Sequence, residues 1–261
     1  MPIKPKIVSL ETVGSTNEVL CRHAGDEKMV VATAEYQTAG RGCGTNVWES
    51  ERGKNLLYSV LYRPSGVEAA NQFVLSMANA LALKAALDGY TKGISIKWPN
   101  DIYLGDGKLC GTLIETTLRG KLVDTVIAGT GINVNQRTFR SDAPNPVALA
   151  AAVGHDVNRK ALLDEVISHT IYYMCMAETE PETLRERYRQ ALYRRGEWHR
   201  YRFADGAERM ALLETVADDG RLLLRHAGAD GDQPTTHAYA FKEVAFVIEH
   251  DNQTNRDYGT I

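Results

Sequence analysis

Residues 94–135 read ISIKWPNDIYLGDGKLCGTLIETTLRGKLVDTVIAGTGINVN. Branched and aromatic side chains recur through this run, and Pro, Gly and Asp cut it into strand-length pieces. Asp106-Gly107 and Arg119-Gly120 supply the residues that tight hairpin turns demand. Pro99 interrupts a strand, because proline has no N–H to give a ladder. The stretch therefore predicts successive antiparallel strands.

Upstream, strand-like segments occur at 6–10, 29–35 and 55–62. A first helix is expected from Ser15, where Ser15 and Glu18 have the spacing of a capping box. A longer helix fits 68–88, with apolar residues at helical spacing. Downstream, helices are expected at 158–177, capped by Asn158, and at 181–194, opened by Pro181. After Gly196 the helical pattern stops. Residues 198–250 read as short strands separated by turns at Ala204-Asp205-Gly206, Asp218-Asp219-Gly220 and Gly228 to Pro234. The expectation is an α+β protein: a mixed, mostly antiparallel sheet with helices over 1–195, and a small β-barrel-like unit over 196–261.

Composition narrows the function classes. Hydrophobic residues make up 44% of the 261, enough to build a core and to exclude disorder as the main state. The net charge of −3 argues against a dedicated nucleic-acid binder. No apolar run approaches the length of a membrane span, and the N-terminus lacks a signal-peptide pattern. Cys21, Cys43, Cys110 and Cys175 are scattered, which reads as reduced thiols rather than a zinc site or a disulfide framework. A cytoplasmic protein is expected.

Four segments carry chemistry. Gly40-Arg41-Gly42-Cys43-Gly44-Thr45-Asn46 exposes backbone amides and one guanidinium, which suits phosphate or carboxylate, though it equally fits a surface loop. It matches neither a Walker A loop nor a Rossmann fingerprint. Lys97-Trp98-Pro99-Asn100-Asp101 sets a lysine beside a rigid turn, with Asp101 able to share Mg²⁺ with phosphate oxygens. In Asp106 to Gly111, Lys108 follows a turn and Gly111 leaves a bare strand position. In Gly129-Thr130-Gly131-Ile132-Asn133, alternate glycines open one sheet face to a flat ligand, and Asn133 shares their side. No catalytic triad or metal-binding histidine pair is present.

Taken in order, GSTNE (14–18), AEYQTAGRG (34–42), KWPNDIYL (97–104), GKLCGTLIE (107–115) and GTGINVN (129–135) resemble the biotin protein ligases. The resemblance implies a class II synthetase-like core followed by an SH3-like domain. It implies ATP and biotin as substrates with Mg²⁺, biotinyl-5′-AMP as the intermediate, and a biotin carboxyl carrier domain as the acceptor. Lys108 would bridge the biotin carboxylate and the α-phosphate, with Lys97 and Arg41 adding positive charge. Ser15, Thr16, Asn17, Gln37, Gly40 and Gly42 match biotin-binding positions. Gly111, Gly129 and Gly131 would make room for the rings. Trp48 would stack on adenine, with Asn100 and Asn133 as polar contacts and Asp101 at Mg²⁺.

Two departures matter. Family members commonly carry G-R-G-R-x-G-R in the loop, whereas only Arg41 stands here; faster release of biotinyl-AMP is expected. The loop is expected to order on ligand binding. Some members also carry an N-terminal repressor domain, but the ligase core here starts within the first ten residues, so a monofunctional ligase, monomeric or dimeric, is expected. Lipoate–protein ligase is the rival enzyme, with KWPND and GRG pointing to the biotin branch. A non-catalytic sensor and an SH3-like interaction module on a degenerate core are the non-enzyme readings; Lys97 and Lys108 argue against lost activity.

Overall fold

In the computed structural model the 94–135 stretch turns back three times and lays four antiparallel strands side by side. Residues 3–23, 25–44, 46–140, 145–228 and 233–248 are described. Thr45, most of the expected Gly228–Pro234 turn and the chain beyond 248 lie outside them.

In chain order the elements are β1 (Lys6–Val13), α1 (Thr16–Cys21), β2 (Met29–Gln37), β3 (Leu56–Tyr62), α2 (Phe73–Asp88), β4 (Ile94–Lys97), β5 (Asp101–Leu104), β6 (Gly107–Arg119) and β7 (Leu122–Ile132). Helices α3 (Leu149–Val153), α4 (Arg159–Thr179) and α5 (Pro181–Gln190) follow. The chain then forms β8 (Trp198–Phe203), β9 (Glu208–Val216), β10 (Leu222–His226), β11 (Thr235–Tyr239) and β12 (Val244–Phe246). The first sheet has the order β1-β2-β3-β7-β6-β5-β4, and the second β11-β10-β9-β8-β12. Only β1 and β2 run parallel; all other described pairs are antiparallel. The expected α+β class holds, with a separate C-terminal antiparallel sheet.

Helix α2 is apolar nearly all round because it is covered on nearly all sides. It packs against α4, α5 and the β4–β5 end of the sheet. Leu75, Met77, Leu83 and Leu87 are fully buried there, and each such side chain contributes about 1.5–3 kcal/mol through burial. Asn158 caps α4 as expected, accepting from the amides of Lys160 and Ala161 at 3.0 and 3.1 Å.

Several local expectations need correction. The two-residue hairpin loops are Gly105-Asp106 and Gly120-Lys121, since Leu104 pairs with Gly107 and Arg119 with Leu122. The left-handed positions fall on Gly105 and Gly120, at φ +54° and +63°. The 68–88 helix is split: Ala69–Asn71 is a 3₁₀ turn and α2 starts at Phe73. Helix α5 stops at Gln190 rather than 194 because the next residues pair with the sheet edge. Ile96 N–H donates to the Ala191 carbonyl at 2.8 Å, and Tyr193 N–H to the Ile96 carbonyl at 2.9 Å. The Ser15–Glu18 capping box is not made: Ser15 stands at the N-cap with no side-chain cap bond.

Candidate active site

A cavity of about 540 Å³ opens over the β6–β7 face. Its floor is a glycine pair. Gly111 and Gly131 are direct partners in the β6–β7 register, and Gly129 faces Leu113. Side chains from elsewhere lie over these bare positions. A Cβ on Gly111 would sit 2.8 Å from Trp48 Cζ3, and one on Gly131 would overlap the Trp48 indole. A Cβ on Gly129 would overlap the Asn17 amide. The space expected for a ligand ring thus lies where Trp48 now rests, and its indole N–H has no acceptor.

Lys108 reaches this face through an irregularity. It stands three residues before Gly111, so in a regular strand the two would face opposite sides. The register slips between Ile102 and Tyr103, leaving Leu109 unopposed. This bulge puts Lys108 on the Gly111 side; a Cβ on Gly111 would lie 3.2 Å from Lys108 Cε. The Lys108 N–H donates to the Asn145 carbonyl at 2.7 Å, and its own carbonyl accepts from Val147 N–H at 3.0 Å. Its Nζ donates to Asp101 Oδ2 at 2.7 Å.

The β4–β5 turn brings Lys97, Asn100 and Asp101 to the cavity wall. Lys97 Nζ lies 5.3 Å from the Tyr103 ring and 5.0 Å from that of Phe246. Burial holds its ammonium below the ordinary lysine range; Asp101 opposes that shift, while Lys108 and Arg194 reinforce it. The turn, with its cis Trp98–Pro99 peptide, is anchored from two sides. Trp98 Nε1 donates to the Gly220 carbonyl at 2.8 Å, and Tyr188 Oη donates to the Pro99 carbonyl at 2.7 Å.

The inner end is polar. Ser15, Thr16, Asn17 and Gln37 line it, from the start of α1 and the end of β2. Thr16 N–H donates to Gln37 Oε1 at 2.8 Å. Thr16 Oγ1 meets Ser59 Oγ at 2.6 Å, Ser59 donates to Asn17 Oδ1 at 2.6 Å, and Asn17 Nδ2 donates to Glu115 Oε2 at 2.6 Å. The cover is the Gly-rich segment, folded as a small hairpin in which Arg41 pairs with Val47. Arg41 lies 3.7 Å from Glu115.

Most of the sequence-predicted residues thus meet at one cavity. Gly40 and Asn133 do not line it. Gly40 is buried behind Trp48, whose backbone N–H donates to the Gly40 carbonyl at 3.0 Å. Asn133 is 3% exposed and donates to the Lys108 carbonyl at 3.3 Å, so it holds the lysine's backbone. The sequence reading missed Ser59 and Glu115, and also Phe241, which reaches the cavity from the C-terminal unit and packs edge-on against Trp98. Glu115 ends one of the quoted motifs; Phe241 follows from tertiary structure alone. Asp101 is the one carboxylate among the described lining residues. A single carboxylate fits Mg²⁺ that arrives bound to a nucleotide, since Mg²⁺ takes few protein ligands beside phosphate. No cluster of three or more acidic, His or Cys side chains suited to a resident metal occurs among the described residues.

The biotin/lipoate A/B protein ligase family model matches residues 10–133. The biotin–[acetyl-CoA-carboxylase] ligase of Paracoccus denitrificans is 32% identical over 217 residues, covering 80% of this chain and 88% of that one. The chain belongs to the biotin/lipoate A/B protein ligase family. The corresponding ligase of Mycobacterium tuberculosis is 31% identical, with 82% and 81% covered. The bifunctional ligase/repressor BirA of Escherichia coli is 37% identical over 143 residues, 53% of this chain and 44% of that one. The chain spans less than half the length of such bifunctional relatives. In fold, this family member superimposes on the Aquifex aeolicus biotin protein ligase solved with biotin and ATP, with TM-score 0.77, 24% identity, and 94% and 99% of the chains covered.

Proposed function

We propose that this family member joins biotin to the AMP moiety of ATP and passes the biotinyl group to a lysine of a biotin carboxyl carrier domain. The observation that carries the reading is Lys108 Nζ, held by Asp101 at 2.7 Å beside a glycine floor whose inner end is lined by hydrogen-bonding side chains. A carboxylate oxygen of biotin attacks the α-phosphorus; the bond from that phosphorus to the α,β-bridging oxygen breaks and pyrophosphate leaves. Both reactants are anionic, so cations must lower the barrier. Lys108 is proposed to bridge the carboxylate and the α-phosphate, with Arg41 and Lys97 adding charge and Mg²⁺ arriving with ATP near Asp101. The acceptor amine then attacks the acyl carbon, AMP departs, and the amine gives up a proton to solvent. No protein nucleophile is required.

The polar inner end supports biotin over lipoate. Ser15, Thr16, Asn17 and Gln37 offer partners for a urea, whereas a dithiolane ring has no N–H to use them. Trp48 is proposed to leave the glycine pair and cover the adenine, with Asn100 nearby; Gly42 belongs to the loop that closes over the ligand. We take the catalytic unit to end near residue 195, with the C-terminal unit closing the nucleotide side through Phe241. Free thiols at Cys21, Cys43, Cys110 and Cys175 and the need for ATP suit a cytoplasmic enzyme. No described helix is long and apolar enough to cross a membrane. The net charge of −3 argues against a dedicated nucleic-acid binder, and the protein is taken to work as a monomer or homodimer.

The test is transfer from Mg-ATP and either biotin or lipoate to purified carrier domains. Biotin transfer is the expected result. Lipoate transfer alone would select the other branch, and transfer of neither would leave a binding protein.

A further inference from the structure

A hydrogen-bond chain leads away from the cavity and ends on a carboxylate that the proposed chemistry does not use. Glu115 lies on β6, four residues beyond Gly111. An ionised carboxylate can only accept hydrogen bonds. Its 2.6 Å contact with Asn17 therefore fixes the amide with Nδ2 outward and Oδ1 inward, over Gly129. Ser59 has one proton, and at 2.6 Å it goes to that oxygen. Ser59 Oγ is then an acceptor for Thr16, whose 2.6 Å contact is shorter than its 3.1 Å contact with Gln37 Oε1. Each donor direction is decided by the link before it. Ser59, Thr16 and Asn17 are 0%, 2% and 3% exposed, so water does not scramble the order.

The direction has a consequence at the cavity. With its proton committed to Ser59, Thr16 Oγ1 is left with lone pairs, and Gln37 Oε1 beside it at 3.1 Å is held by the Thr16 N–H at 2.8 Å instead. Asn17 Oδ1, which lies over Gly129 on the cavity lining, is a second acceptor there. Two acceptors at one end of a cavity select a ligand with N–H groups and reject one whose nitrogen is alkylated, because a buried acceptor left unpaired is costly.

We propose that Glu115 is a positioning residue that sets specificity: it polarises the Asn17–Ser59–Thr16 chain so that the inner end recognises the N–H groups of a cyclic urea. This rests on the biotin reading above. Glu115 touches no reacting atom, so its loss should appear in biotin binding and not in the chemical step.

The experiment compares wild type, Glu115→Leu and Glu115→Gln by biotin titration and by biotin-dependent ATP–pyrophosphate exchange, using biotin and a biotin methylated on one ureido nitrogen. Glu115→Leu should weaken biotin by about tenfold or more, the scale of a hydrogen bond to a charged group. Its rate at saturating biotin and its KM for ATP should stay within about threefold, since the interaction lost is one of binding. Glutamine can still accept from Asn17 through Oε1, so Glu115→Gln should stay near wild type. The preference for biotin over the methylated analogue should shrink in Glu115→Leu and persist in Glu115→Gln. Ser59→Ala should reproduce the leucine phenotype and add little to it, and it serves alone should Glu115→Leu fail to fold. Unchanged biotin affinity and preference in Glu115→Leu would overturn the proposal. So would equal damage in Glu115→Gln, which would assign the effect to charge beside Arg41. Failure of wild type to bind biotin would instead overturn the biotin reading itself.

Discussion

The floor of the cavity and its cover are made of different material. The floor is strand: Gly111 and Gly131 sit opposite each other in a continuous ladder, and Lys108 is aimed by a bulge and pinned by backbone bonds to Asn145 and Val147. The cover is loop: a short hairpin carries Arg41 and Trp48, and the C-terminal unit adds Phe241. The floor fixes where a carboxylate and a phosphate would meet. The cover is free to rearrange around what lies there, because few of its bonds are buried. Preorganised charge on a rigid base and adjustable contacts above it divide rate from retention.

Changing the floor should therefore cost rate or substrate affinity, and changing the cover should cost residence time. The largest effect is expected for Lys108→Ala, which should lower biotin-dependent pyrophosphate exchange by about 10²–10³-fold with the fold retained. A rate within threefold of wild type would move the burden to Lys97 or Arg41. Next is Gly129→Ala. The added methyl lands on the Asn17 amide, which is hydrogen-bonded at both ends and cannot step aside freely. Calorimetry should show biotin binding about 100-fold weaker, equivalent to two hydrogen bonds, and ATP binding largely kept.

Smaller effects sharpen the contrast. Burial holds Lys97 below the ordinary lysine range, so as pH rises it loses its charge before an exposed lysine would. The adenylation rate should decline along that alkaline limb. Lys97→Arg, which stays charged, should move the limb upward; an identical profile would assign it to another group. The smallest effect lies in the cover. Cys43→Arg adds a cation to a loop that has one, and trapping assays should show biotinyl-AMP held about several-fold longer, the scale of one exposed charge contact. Equal release rates would show that loop charge does not govern retention. Protection of the 40–48 segment from protease on adding biotin and ATP would show the cover ordering on its ligand.

Strand identity was legible because β-branched residues, glycine turns and Pro99 act locally. The cap at Asn158 was legible for the same reason. What could not be read depended on distant partners. Ser15 and Glu18 have the spacing of a cap, but Ser15 faces the cavity and the helix runs only to Cys21. Helix α5 ends early because Leu192 meets β4, a contact between residues almost a hundred positions apart. Asn133 has the alternation of a ligand contact, yet it bonds Lys108's carbonyl. The bulge is the telling case. Lys108 and Gly111 were both singled out, and strict strand parity would have put them on opposite faces.

Trp48 rests on the two glycines with its indole N–H unpaired. The side chain is thus an internal competitor for the space above Gly111 and Gly131. A molecule arriving there has to wait for the indole to leave, so the observed association rate should level off at high concentration at the rate of that departure. Relieving an unpaired donor returns about 1–3 kcal/mol to the open form, which lowers the cost of holding that space clear.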